Sequence, residues 1–153
     1  MSRVTFDRSA DKALGFVFSW PIRVYFEDTD AAGIVFYANY LKFFERARTE
    51  WLRTMDFDSS SGAEKFGGFF VVKSSNVEYH APASLDDELA SLLAVKKLGR
   101  ASLVLEQTIM RGDQRLTSAQ ITLCFVDRTH WRVMPLEPTL AARIVAASSM
   151  SAT

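Results

Sequence analysis

"EDTDAAGIVFYANYLKFFERARTEWL", Glu27 to Leu52, is the stretch on which the fold turns. Its second half places Tyr40, Phe43, Phe44, Ala47 and Trp51 at i, i+3, i+4, i+7 and i+11, with Lys42, Glu45, Arg46, Glu50 and Arg53 on the other side. That is the period of a helix with one wide aromatic face. Rings of this size need a broad apolar surface, and a sheet supplies one more readily than a second helix. Glu45, Arg48 and Glu50 read as a solvated face whose spacings favour ion pairs.

The first half carries acids at 27, 28 and 30, one glycine at 33, and the apolar Ile34, Val35 and Phe36 ahead of the helix. An Asp in this place is most simply a turn or helix-start acid, accepting nearby backbone N–H groups. Three features add a chemical reading for Asp30. Gly33 allows a backbone geometry closed to other residues, or close approach by a ligand. The apolar connection suggests a pocket wall, and the helix start leaves N–H donors near Tyr37 to Asn39. A carboxylate with an ordinary pKa of about 3.9 is ionised at neutral pH and can attack an activated carbonyl or take a proton from water. Amides at a helix start can hold the resulting oxyanion, a contribution of roughly 3–4 kcal/mol per donor in known enzymes. A thioester suits such a site, because its carbonyl is electrophilic and its thiolate leaves without strong acid assistance.

The rest of the chain frames this stretch. With 153 residues, 48% hydrophobic and 24% charged, one domain with a real core is expected. Eighteen basic and eighteen acidic residues cancel, so no global field draws the chain to nucleic acid or to an anionic membrane. Cys124 stands alone in "ITLCFVD", which excludes an internal disulfide and fits a buried small side chain in a reducing, cytoplasmic setting. The N-terminus fits neither a secretion signal nor a membrane span. Residues 1–15 are expected to be flexible, 16–147 to form the domain, and 148–153 to be a tail.

From Trp20 to Phe26 the alternation of Trp20, Ile22, Val24 and Phe26 with Pro21, Arg23 and Tyr25 predicts a half-buried strand. Downstream, "FFVVKSSNVEYHAP", "ASLVLEQTIMRGDQ" and "RLTSAQITLCFVD" read as strands, with "RGDQ" as a hairpin turn and not an adhesion signal. "DDELASLLAVKKLG" suits helix or strand equally from its pattern. Pro138 opens a short terminal helix. His80 and His130 lie fifty residues apart with no ligand at metal spacing, so no metal is expected.

"RVYFEDTDAAGIVFYANYLKFFERARTEWLR", with "VEYHAPASLDDEL" further on, resembles the hotdog-fold acyl-CoA thioesterases of the 4-hydroxybenzoyl-CoA thioesterase superfamily, and within it the YbgC-like, Tol-Pal-associated branch. The resemblance spans roughly residues 20 to 135. It implies an α+β hotdog fold: a curved antiparallel sheet of about five strands around a long central helix, in dimers or tetramers with active sites between subunits. It makes the ambiguous segment a strand. It places the family's catalytic acid on Asp30 and its oxyanion N–H on Tyr37, with Asp28 as a structural companion. Gly33 joins the substrate site, Arg100 and Ser102 fall where nucleotide and phosphate contacts are made, and Lys73 and Lys97 are further cations for the anionic CoA, second to these. Many of the branch carry histidine where this chain has Tyr37; a backbone role survives that change and a histidine side-chain role does not. The implied activity is hydrolysis of a short-chain or aromatic, 4-hydroxybenzoyl-type acyl-CoA, with no cofactor because CoA belongs to the substrate. The rival reading is a non-catalytic acyl-CoA-binding protein or Tol-Pal scaffold on the same fold.

Overall fold

The structure is a computed structural model that describes residues 17–58 and 61–148. The expected segment at 1–15, and all of the expected tail except Ser148, lie outside those residues. Five antiparallel strands form one sheet: β1 (Phe18–Arg23), β2 (Gly68–Tyr79), β3 (Glu88–Leu98), β4 (Ser102–Arg111) and β5 (Gln114–Asp127), in the spatial order β1-β3-β4-β5-β2. Helix α1 (Asn39–Arg53) lies on the sheet, α2 (Gly62–Phe66) precedes β2, and α3 (Pro138–Ser148) closes the described chain. This is the architecture the resemblance implied.

The aromatic face of α1 is buried as its spacing predicts: Tyr40, Phe43, Phe44, Ala47 and Trp51 are all in the core. It lies over β1, β3 and β4. Two strand side chains tie the helix down from below. Ser91 Oγ donates to the Phe43 carbonyl and Gln107 Nε2 to that of Phe44, both at 2.9 Å. Each is a buried polar group with a partner, so each adds orientation at little desolvation cost.

The segment with two readings is β3. Ser91 to Val95 are buried without a break, because one face meets the α1 core and the other meets a smaller cluster of Val17, Leu92, Ala94 and Met110. A strand covered on both sides loses the alternation that would distinguish it from a helix. The β4–β5 turn pairs Arg111 with Gln114, and Gly112 has φ 58. Arg111 is engaged there with Asp87, Pro82 and Gln114, so the RGD tripeptide is a turn. Glu137 accepts the N–H groups of Thr139 and Leu140, both at 3.0 Å, and so starts α3 at Pro138.

One expectation fails. Phe26 is 81% exposed and does not continue the inward row of β1, because β1 ends at Arg23 and, after the extended Tyr25, the chain winds into a 3-10 turn at Phe26–Asp28.

β2 is a sheet edge, and Val72 to Asn76 on it are exposed. Its register shifts between Val72 and Ser74, leaving Lys73 bulged; a second shift between Val95 and Lys97 leaves Lys96 bulged in β3. Such bulges sharpen local twist and bend a sheet.

Phe44 is fully buried between helix and sheet. Phe44→Ala is expected to cost about 3–5 kcal/mol, lowering the melting temperature by about 10 °C in a domain of this size, as read by a thermal melt.

Candidate active site

The site begins where β1 ends. Asp28, buried at 4% exposure, accepts the Tyr25 N–H on Oδ2 at 2.8 Å. That bond turns the chain. The Asp28 carbonyl then accepts from the Phe36 N–H at 3.0 Å and from Asn39 Nδ2 at 2.8 Å. One residue thus joins the strand exit to the helix start, which is the companion role suggested for it.

Between these anchors the chain makes a small hairpin, with Thr29 bridged to Val35. The Asp30 N–H donates to the Ile34 carbonyl at 2.9 Å, and the Asp30 carbonyl accepts from the Gly33 N–H at 3.0 Å. Gly33 has φ +79 and open space where a Cβ would sit, so it supplies left-handed backbone and not a close approach. Asp30 Oδ1 accepts the Ala32 N–H at 2.8 Å, and its other oxygen makes no hydrogen bond among the described residues. The side chain is exposed. This corrects the apolar setting expected for it: Val35 turns into the core at 3% exposure while Asp30 stays at the hairpin tip.

Tyr37 follows on the return side. Its N–H has no acceptor among the described residues, since α1 starts only at Asn39. A free amide donor and a half-engaged carboxylate therefore lie on one short hairpin. The Tyr37 ring is 63% exposed and meets Tyr79 edge-on at 6.2 Å, and Tyr79 Oη donates to the Tyr37 carbonyl at 3.0 Å. Burial, with the neighbouring Tyr37 and Tyr40 phenols, pushes the Tyr79 hydroxyl above its ordinary pKa, so it stays a donor at neutral pH.

The connection from β2 to β3 braces this end. Val35 N–H donates to the Ala83 carbonyl at 2.9 Å, and Ala83 N–H to Tyr40 Oη at 3.1 Å. Asp87 accepts the Ser84 N–H at 2.8 Å and pairs with Arg111 at 2.7 Å. Partial burial alone would raise the Asp87 carboxyl, but the Ser84 N–H and the Arg111 guanidinium together hold it below its ordinary value.

A cleft of about 720 Å³ lies at the other end of α1, walled by Leu52, Phe57, Phe69, Phe70, Val72 and Leu123, with Glu45, Arg48 and Thr49 on its helix side. Strand register shows how far it is from Asp30. Val71 pairs with Cys124, which pairs with Ser102, so Lys73, Arg100 and Ser102 gather at the cleft end. Tyr79 pairs with Thr117, which pairs with Ile109, at the Asp30 end. Tyr79 lies seven residue steps along β2 from Val72, roughly 23 Å in a strand. Within one chain, Asp30, Gly33 and Tyr37 lie on the one segment between β1 and α1, and Lys73, Arg100 and Ser102 do not join them.

Sequence reasoning missed Tyr79, the Arg111–Asp87 brace and the place of Arg48. Arg48 is half-buried, and its Nη1 donates to Gln107 Oε1 at 2.9 Å, so it is no part of a solvated face. A signal was present, since Gln107 interrupts the inward row Leu103, Leu105, Ile109 with a polar residue.

A five-stranded sheet on one long helix, with an acid-bearing hairpin at the helix start, defines a hotdog-fold protein of the thioesterase class. The chain belongs to the thioesterase superfamily: that family's profile, described as "Thioesterase superfamily", matches residues 32–118. It is 44% identical over 110 residues to an acyl-CoA thioesterase YbgC of Haemophilus influenzae, covering 72% of this chain and 81% of that one. It is 40% identical over 128 residues to an acyl-CoA thioester hydrolase YbgC of Escherichia coli, covering 82% and 94%. A crystal structure of a probable thioesterase from Bartonella henselae superposes with a TM-score of 0.73 at 32% identity, covering 78% of this chain and 98% of that one.

Asp87→Asn is expected to destabilise the fold near neutral pH. The folded-state pKa is depressed, so the stabilisation is fully present above the unfolded value of about 3.9 and disappears as pH falls through the folded value. Urea unfolding of wild type and variant should therefore differ at pH 7 and converge in strong acid.

Proposed function

We propose that this chain hydrolyses a short-chain or aromatic acyl-CoA to the free acid and CoA, in the reducing cytoplasm that its unpaired Cys124 suits. The observation that carries the reading is that Asp30, with one oxygen making no hydrogen bond among the described residues, and Tyr37, whose N–H has no acceptor among them, lie on the one segment ahead of α1. Tyr37 N–H receives the oxyanion as the thioester carbonyl becomes tetrahedral. Asp30 supplies the attacking oxygen, its own or that of a water whose proton it takes. The carbon–sulfur bond then breaks, and the CoA thiolate leaves and is protonated; where Asp30 itself attacked, water then hydrolyses the acyl–Asp30 anhydride, releasing the free acid and restoring the carboxylate. The cleft's phenylalanine-rich wall and volume suit a compact or ring-bearing acyl group.

Two protomers make the working unit in this proposal. The edge of β2 is exposed, with the cleft at its start and Tyr79 at its end. Antiparallel pairing of two β2 strands about a two-fold axis near Ser74 and Ser75 sets Phe70 of one protomer opposite Tyr79 of the other. The cleft of each then meets the Asp30 hairpin of its mate. The same operation carries Lys73, Arg100 and Ser102 towards the mate's hairpin, as cations and donors for the anionic CoA. A tetramer would be two such dimers.

The second reading, a non-catalytic acyl-CoA-binding protein or Tol-Pal scaffold, has one observation in its favour: the Asp30–Ala32 bond gives the acid a structural use. Thiol release separates the two readings. Wild type should release thiol from members of an acyl-CoA panel. Asp30→Asn, which can keep the turn bond, should lose at least about 100-fold in kcat/KM with an unchanged melting temperature. Ligand binding without turnover in wild type would establish the scaffold.

The shared site has its own test. Asp30→Asn and Leu52→Trp, the second filling the cleft, should each be inactive alone. Co-expressed, they should recover roughly a quarter of wild-type activity, because half the dimers are mixed and each mixed dimer keeps one intact site. No recovery would count against a site built from two chains.

A further inference from the structure

Arg48 is a cation placed where an apolar side chain would be simpler. It lines the cleft from α1, half-buried, and among the described residues its one hydrogen-bond partner is Gln107, at 2.9 Å. It forms no ion pair with a described residue. Burial lowers its pKa from the usual arginine value, with Glu45 opposing the change. Gln107 is itself wholly buried, and because its Nε2 is committed to the Phe44 carbonyl at 2.9 Å, its oxygen is fixed towards the guanidinium. The arginine is therefore aimed by a locked amide, while most of its five N–H donors have no acceptor among the described residues.

A half-satisfied buried polar pair is worse for stability than two apolar side chains of the same shape. The arrangement makes sense if a ligand completes it. The charges around the cleft narrow the kind of ligand. Among the residues that line it, Glu45, Asp58 and Glu64 stand against Arg48 and Arg128, so the walls themselves disfavour another carboxylate; Lys73 and Arg100 lie at the same end but are not among the lining residues. Glu64 lies 3.9 Å from Arg128, and Glu45 accepts from Thr49 Oγ1 at 2.5 Å. A neutral oxygen, hydroxyl or carbonyl, can accept from Arg48 without that repulsion.

We propose that Arg48, held by Gln107, is a specificity-determining residue that hydrogen-bonds a neutral oxygen on the acyl group, away from the thioester carbon. This rests on the reading of the cleft as the acyl site. The enzyme would then prefer oxygen-bearing acyl groups to hydrocarbon ones of the same size, and to those ending in a carboxylate.

The test uses matched acyl-CoA esters: 4-hydroxybenzoyl, 4-methylbenzoyl and 4-carboxybenzoyl, and 3-hydroxybutyryl against isovaleryl. In wild type the hydroxylated member of the better series should exceed its methyl counterpart in kcat/KM by about 10- to 100-fold, the worth of one hydrogen bond to a charged group. It should also exceed the carboxylate. Arg48→Met should bring the hydroxyl-to-methyl ratio close to one, and Arg48→Lys should keep part of it. Should Arg48→Met not fold, the double variant Arg48→Met with Gln107→Leu replaces both polar partners and serves instead. A wild-type ratio near one, or a ratio that survives loss of Arg48, overturns the proposal while leaving hydrolysis intact. Calorimetric binding of the free hydroxy and methyl acids reads the same contrast without turnover. If no ester is hydrolysed, Arg48-dependent preference for the hydroxy acid still supports the proposal, and equal binding of the two acids overturns it.

Discussion

One helix cannot cover five strands. An α-helix is about 10–12 Å across with its side chains, whereas five strands spaced about 4.8 Å apart present a sheet roughly twice that width. In this chain α1 spends its aromatic face on β1, β3 and β4. The start of β2 and the adjoining part of β5 are left facing a cleft instead of a core. Large rings at Phe43, Phe44 and Trp51 hold the helix to its side of the sheet. The cleft follows from the same packing that stabilises the fold.

In the proposed enzyme this division separates chemistry from recognition. The hairpin with Asp30 and Tyr37 is set by Asp28 at the start of α1, while the cleft lies at the helix's other end. β2 runs from one to the other along an exposed edge. An edge with unpaired backbone groups invites a second strand, and a two-fold partner is the economical one because it reverses the direction of β2. The openness of Asp30 in a single chain fits that account: a carboxylate that shares its site with another protomer need not be enclosed by its own.

Much of this was legible in the residues, and where it was not, the cause is physical. The buried face of α1 could be read without error because every member of the periodic set but Ala47 is aromatic. β3 could not, since burial on both sides erases the alternation and its Ala and Leu content fits a helix equally well. Phe26 continues a strand pattern on paper, yet the Asp28–Tyr25 bond ends the strand before reaching it. Local pattern cannot register a side chain bonding back to the backbone three residues earlier. Arg48 was hidden for a different reason: its environment depends on Gln107, fifty-nine positions away, and only the polar break in the β4 row hinted at it. Asp30 stands where the motif put it, ahead of the helix, but its exposure was not readable, because the pattern does not show that the hairpin turns Val35 inward and leaves Asp30 at its tip.

In the proposed dimer the acid hairpin of one protomer works on an acyl group held by the other. A crystal structure with a non-hydrolysable ketone analogue of an acyl-CoA, carrying a methylene in place of the thioester sulfur, tests it most directly. The account predicts the ketone oxygen on the Tyr37 N–H of one protomer, the Asp30 carboxylate beside the carbonyl carbon, and the acyl group between Leu52 and Phe70 of the other. An analogue bound within a single chain, or one whose carbonyl lies away from both Asp30 and Tyr37, would contradict it.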